Sequence, residues 1–177
     1  MNADLQKARQ TFSKFPVPWF VCGGQALSLY IGQELRTHGD LDLGIFRKDQ
    51  ALLYRHFGEG YFSYVHGGQK KPWDGSFLHL PVHEIYVQQD NTQFEILMNE
   101  TDGKNWIYRR NPKVTLPLPQ AIFARDGIPF LAPEIVLLFK SKHGRIKDQE
   151  DYAAIFPQMT EKQRNWLDWA LSQGHEG

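Results

Sequence analysis

The chain has 177 residues, 20 basic and 20 acidic side chains and a formal net charge of zero. That is enough chain for one domain with its own core, and the charge is too balanced for a strongly basic nucleic-acid binder. Aromatic residues at 14% exclude a disordered chain, and the single cysteine, Cys22, excludes an intramolecular disulfide and a cysteine-based zinc cluster.

In chain order, residues 3–14 have helical texture until Pro16-Val17-Pro18 breaks it. WFVCGG (19–24) reads as a short buried strand closing on the glycine pair Gly23-Gly24. QALSLYIGQEL follows with Ala26, Leu27, Tyr30 and Ile31 at helical spacing. DLDLGIF (40–46) alternates strictly, which makes a strand with Leu41, Leu43 and Ile45 on one face and Asp40 and Asp42 on the other. A helix over KDQALLYRHF stops at Gly58.

The texture then changes to strands: YFSYVH, HEIYVQQ and QFEILMN, the last two joined by a turn at Asp90-Asn91. Residues 67–76 read as a polar, glycine-rich loop, and NWIYRR and KVTLPL as further short strands. From Pro133, suited to a first helical position, the chain is helical again. A second helix runs near 147–156, and Thr160 with Gln163 makes a capping box for a third. The expected architecture is a mixed α/β (α+β) body of residues 1–131 followed by a C-terminal helical subdomain of residues 132–177. The N-terminus lacks the apolar core of a secretory signal, and runs such as IVLLF are too short to span a bilayer. A soluble, cytoplasmic protein is expected.

One constellation carries chemistry. Glycines without a Cβ let backbone N–H groups approach a phosphate closely, and the helix after Gly23-Gly24 would begin there with its positive dipole end. Two carboxylates at i and i+2 on a strand share a face with Cα atoms about 7 Å apart. Hard oxygens at that separation can bind Mg²⁺ together with substrate phosphates. A third carboxylate is expected from a neighbouring strand, and Glu95 is the acid that alternates with Phe94, Ile96 and Met98 in QFEILMN.

The stretch GGQALSLYIGQELRTHGDLDL resembles the signature of the DNA polymerase β-type nucleotidyltransferase superfamily. Within it, the sequence is most similar to the small aminoglycoside (2″) and lincosamide nucleotidyltransferases, in which a Gly-Gly pair and a helix precede Arg-x-His-x-Asp-Leu-Asp. Here those positions are Arg36, His38, Asp40, Leu41 and Asp42. LLFKSKHGRIKDQEDYAAIFP resembles the family's Lys…Lys-Asp-x-x-Asp segment at Lys140, Lys147, Asp148 and Asp151. RNWLDWAL is also typical of that end, and the likeness is diffuse through residues 55–130. Gln25 stands where the wider superfamily often has serine, so the hydroxyl contact to a terminal phosphate is missing or replaced by an amide.

The resemblance implies a nucleotidyltransferase fold, with Mg²⁺ bound by Asp40, Asp42 and Glu95. Gly23, Gly24, Arg36, Lys140 and Lys147 would hold the triphosphate of a nucleotide, with ATP the expected donor. AMP would pass to a hydroxyl of a small molecule such as an aminoglycoside or lincosamide antibiotic, releasing pyrophosphate. Glu95 is also the candidate general base, and His38 reads as a structural hydrogen-bonder. A cationic acceptor would want acids lining the cleft, for which Glu84, Glu100, Asp102 and Asp74 are candidates. Trp73, Trp106 and Tyr108 are candidates for a cleft floor, with core packing the simpler reading. Two rivals stand beside this reading: a toxin-type nucleotidyltransferase acting on tRNA or protein, favoured by a basic groove around Lys70, Lys71, Arg109 and Arg110, and a non-catalytic nucleotide-binding module of the same fold. Oligomeric state is not legible in the sequence.

Overall fold

A computed structural model describes residues 3–36, 41–58, 60–89, 91–142 and 144–174. The expectations for His38, Asp40 and Asp90 therefore lie outside the described residues.

The elements in order are α1 (Ala3–Thr11), β1 (Trp19–Val21), α2 (Gly23–Ile31), β2 (Asp42–Phe46), a 3-10 turn at Arg47–Asp49, α3 (Gln50–Phe57), β3 (Tyr61–His66) and β4 (Gln69–Pro72). Then come β5 (Glu84–Gln89), β6 (Thr92–Thr101), β7 (Asn105–Ile107), β8 (Thr115–Pro117), α4 (Leu118–Ala121), β9 (Ile122–Arg125) and β10 (Ile128–Leu131). The helices α5 (Pro133–Ser141), α6 (Ile146–Ile155) and α7 (Glu161–Ser172) complete the described chain.

The sheet runs β4-β3-β5-β6-β2-β1-β10-β9, with β7 on β6 and β8 on β7. It is mixed: β2 is parallel to β6 and β1 to β10, and the remaining pairs are antiparallel. Because side chains alternate along each strand, register decides what meets on each face. Leu43 lies opposite Ile96 and Ile45 opposite Met98, with Ile85 opposite Ile96 on the next strand. This apolar face is covered by α1 and α3, where Phe12 packs on Trp19, Phe57 and Phe94. Each such side chain contributes roughly 1.5–3 kcal/mol on burial. The other face of β2 and β6 carries Asp42 and Glu95.

The helices from Pro133 pack on that second side: α2 against α5 and α6, and α5 against α6 and α7. Pro133 opens α5, and the Thr160–Gln163 capping box is formed as the sequence predicts. Two expectations are corrected, and one hairpin is added. Gln69–Pro72 is an edge strand on β3 rather than loop, held by backbone pairing that its exposed, largely polar side chains do not signal. Residues 122–131 form a hairpin whose turn, Asp126-Gly127, has φ of 52° and 74°, the left-handed region such turns need. The helix after β1 begins at Gly23 itself, so the glycine pair is its first turn. No helix among the described residues is long and apolar enough to cross a membrane.

Candidate active site

The sheet wall comes first. Asp42 opens β2 directly opposite Glu95 on the parallel strand β6, so both carboxylates stand side by side on one face. Tyr86 on β5 is the next residue in that row, opposite Glu95, and Glu84 lies two positions along the same face. The Tyr86 hydroxyl hydrogen-bonds with Glu95 and Glu84; burial first, and then these two acids, push its pKa up, so it stays a protonated donor. His83 Nε2 lies 3.3 Å from Glu84 Oε1 and, with that bond as the main cause, holds the Glu84 carboxyl below its ordinary range.

Gly23 sits against this row. Its φ is +59°, and a Cβ built there would come within 2.3 Å of Asp42 Oδ2. The residue must be glycine both for its backbone and for the carboxylate above it. Gly44 plays a matching part below: a Cβ there would strike the Phe20 ring at 2.2 Å. Cys22 donates its backbone N–H to Asp42 O at 2.8 Å, tying β1 to the start of β2. Burial, and then the Asp42 charge, push the Cys22 thiol well above its ordinary pKa, so it is an inert packing group.

The facing wall is helical and cationic. Lys140 on α5 bridges Asp148 and Asp151 of α6, at 2.8 Å to each. Arg36, just before the undescribed segment, forks onto both oxygens of Asp151 at 3.0 and 3.2 Å. Arg145 holds Asp148 at 2.8 Å. Burial alone would push the two aspartates up, but the bonds from Arg36, Lys140 and Arg145 outweigh it and hold both carboxyls below the ordinary range. Asp148 is thus an ion-pair partner in the first turn of α6, whose cap position is held by Arg145.

Between the walls is a cavity of about 590 Å³, within the range of small-molecule sites. Of the residues expected from sequence, Gly23, Gly24, Arg36, Asp42, Glu95, Lys140 and Lys147 all line it. Asp40 is outside the described residues, and among those described no three His, Cys, Asp or Glu side chains group closely enough to hold a metal ion. Of the other acids considered, Glu84 lines the cavity, whereas Glu100 is committed to Arg47 at 2.7 Å and Asp102 and Asp74 cap their own exposed turns. Trp106 and Tyr108 are buried beneath the cavity around Phe139, and Trp73 packs on Tyr54 and Phe62.

Sequence reasoning missed Phe139, His83, Arg145 and Tyr86 in this region, and saw Arg109 and Arg110 only as a surface groove. Both arginines line the cavity, with their guanidinium carbons 5.0 and 5.4 Å from the Phe139 ring centre. Their neighbouring positions could not reveal this, because Phe139 comes from a helix about 30 residues later.

No protein-family model and no curated protein sequence matches the chain. Solved structures do match over nearly its whole length. A lincosamide antibiotic adenylyltransferase with lincomycin bound is 16% identical, with a TM-score of 0.53 over 97% of each chain. ANT(2″)-Ia in complex with adenylyl-2″-tobramycin is 12% identical, with a TM-score of 0.59 over 97% of this chain and 99% of that one. An antigenic nucleotidyltransferase-like protein from Paracoccidioides brasiliensis is 17% identical, with a TM-score of 0.52 over 96% of this chain and 84% of that one. At these identities the likeness establishes the fold, and that fold is the one the sequence resemblance implies.

Proposed function

We propose that the chain is a nucleotidyltransferase that moves a nucleoside monophosphate, AMP from ATP in the first instance, to a hydroxyl of a small molecule and releases pyrophosphate. The observation that carries the reading is the pairing of Asp42 with Glu95 on adjacent parallel strands, against Gly23, at a cavity whose opposite wall is cationic. We read residues 1–131 as the catalytic core and 132–177 as the helical subdomain closing the cleft.

Hard carboxylate oxygens fit Mg²⁺, and Asp42 and Glu95, with Asp40 as the third ligand implied by the sequence, would hold it. When bound, Mg²⁺ supplies charge neutralisation on the phosphates. The chain's own groups do the rest. The first backbone N–H groups of α2, at Gly23 and Gly24, have no intrahelical acceptors and would cradle the β- and γ-phosphates. Lys147 forms no ion pair among the described residues and is exposed to meet a phosphate. Arg36 and Lys140 would share their charge between Asp151 and the nucleotide.

The acceptor oxygen attacks the α-phosphorus as the bond to the bridging β-phosphate oxygen breaks, and pyrophosphate leaves with that electron pair. Glu95 would take the hydroxyl proton. Tyr86, donating to Glu95, would fix its orientation. Positioning and electrostatics supply most of the acceleration in such transfers.

A small acceptor is favoured over tRNA. Lys70 lies 4.1 Å from the centre of the Tyr86 ring, Tyr86 hydrogen-bonds with Glu84, and Glu84 is the acidic neighbour of Arg109, so aromatic and acidic groups separate the two cations. The cations therefore do not make the continuous groove that a phosphate backbone needs. The test is pyrophosphate release from each nucleoside triphosphate against antibiotics, sugars and tRNA, with wild type and Asp42→Asn. Release that needs Mg²⁺, a hydroxyl compound and Asp42 is expected. Equal release by the variant would defeat the catalytic reading.

A further inference from the structure

Arg109 and Arg110 lie across the acidic row from the glycines. The strand order places Gly23 beyond β1, Asp42 on β2, Glu95 on β6 and Glu84 on β5, and Arg109 has Glu84 among its charged neighbours. The glycine side is where a triphosphate would sit, so the arginine side is the acceptor's. Arg110 donates to Phe139 O at 3.3 Å and lies at the Tyr108 hydroxyl, both neutral oxygens. Arg109 is half-buried, and among the described residues it makes no hydrogen bond and no ion pair. Its near acid, Glu84, is engaged by His83 and Tyr86. Burial, and then the like charge of Arg110, push Arg109 down to about 10, which leaves it a cation at neutral pH.

A planar fork of donors with no carboxylate opposite it, in a cavity wall, is built to receive an oxyanion. Two guanidiniums beside one ring repel each other, and a shared anion removes that repulsion. We propose that Arg109 and Arg110, stacked on Phe139, form an oxyanion subsite that takes a phosphate or carboxylate group of the acceptor. The proposal rests on the nucleotidyl-transfer reading for the word acceptor. It assigns an acidic, hydroxyl-bearing small molecule as substrate class and disfavours a polycation, which this pair would repel.

The experiment follows the Arg109 side-chain Nε–H resonance by NMR, identified by its loss in Arg109→Gln. Inorganic phosphate is titrated alone and with saturating α,β-methylene-ATP and Mg²⁺, and nucleotide affinity is measured separately for wild type and R109Q. With the nucleotide in place, phosphate should shift the Arg109 signal saturably. Arg110→Gln should weaken that binding at least about fivefold, as loss of one charged donor requires, while R109Q changes nucleotide affinity less than about twofold. Because R110Q keeps the reporter and R109Q keeps nucleotide binding, both variants prove their own folding. The proposal is overturned by an unmoved Arg109 signal, or by equal phosphate affinity in R110Q. It is also overturned if nucleotide abolishes the shift and binds roughly tenfold more weakly to R109Q, since the pair would then serve the triphosphate. Failure of nucleotide to bind even wild type would instead sink the transfer reading, and the titration with phosphate alone would still decide whether the anion site exists.

Discussion

The two walls of the cleft are held in place by different physics. On the sheet wall, Asp42, Glu95, Tyr86 and Glu84 are placed on one face by backbone register, and Tyr86 hydrogen-bonds with both glutamates. On the helical wall, Arg36, Lys140 and Arg145 are long side chains whose positions depend on two buried aspartates of α6. The first wall can lose a charge and keep its shape, whereas the second loses its shape with its charge. Chemistry and stability should therefore separate between them.

Asp42→Asn is the sharpest break. The amide keeps the volume above Gly23, so unfolding should change little, while pyrophosphate release falls at least roughly 100-fold. A large loss of stability with intact turnover would reverse the assignment of the walls.

Asp151→Asn should do the opposite. It leaves Arg36 facing a neutral group and Lys140 with Asp148 alone, and breaking a buried pair in this way costs about 3 kcal/mol, read by urea unfolding. The sign with pH is fixed: a carboxyl held below its unfolded pKa contributes stability above that value, and the contribution is lost as pH falls through the lowered pKa. The gap between wild type and variant should thus be full at pH 7 and close in acid. A gap that persists unchanged at pH 2 would mean that packing, not charge, holds α6.

Glu134 sharpens the contrast beneath the helical wall. It is 3% exposed on α5 and accepts from Gln163 Nε2 at 2.9 Å, and Tyr30 of α2 donates to the same glutamine. Burial raises its carboxyl from 4.5 to about 7. A raised carboxyl stabilises the fold below its unfolded pKa, and that stability is lost as pH rises from 4.5 through about 7. Glu134→Gln should match wild type near pH 4 and exceed it by on the order of 2 kcal/mol at pH 8. Parallel unfolding curves across that range would refute a buried, neutral Glu134. The smallest effect is that of Thr160→Ala, which removes the capping box of α7 and should cost about 1 kcal/mol with no change in turnover.

Legibility in the sequence follows the same division. Alternation in 40–46 put Asp40 and Asp42 on one face, and Glu95 stood out as the one acid among Phe94, Ile96 and Met98, while Thr160, Gln163 and Pro133 marked their helix ends through contacts three or four residues long. The edge strand at Gln69–Pro72 was not legible, because an exposed edge needs no apolar pattern. Nor was the fate of the basic residues. Nothing local distinguishes Lys140, clamped by Asp148 and Asp151, from Lys147, which lines the same cavity with no such clamp among the described residues.

By itself, then, the sequence determined the acidic strand, the glycine turn before it and the helical texture of the tail, since each is a matter of spacing within one element. Only the tertiary structure decided which strand stands beside Asp42, that Asp151 claims Arg36, and that Arg109 stacks on Phe139 inside the cleft. Those contacts join residues that are about 30 to 115 positions apart in the chain. No periodicity carries over such separations, and packing alone brings the partners together.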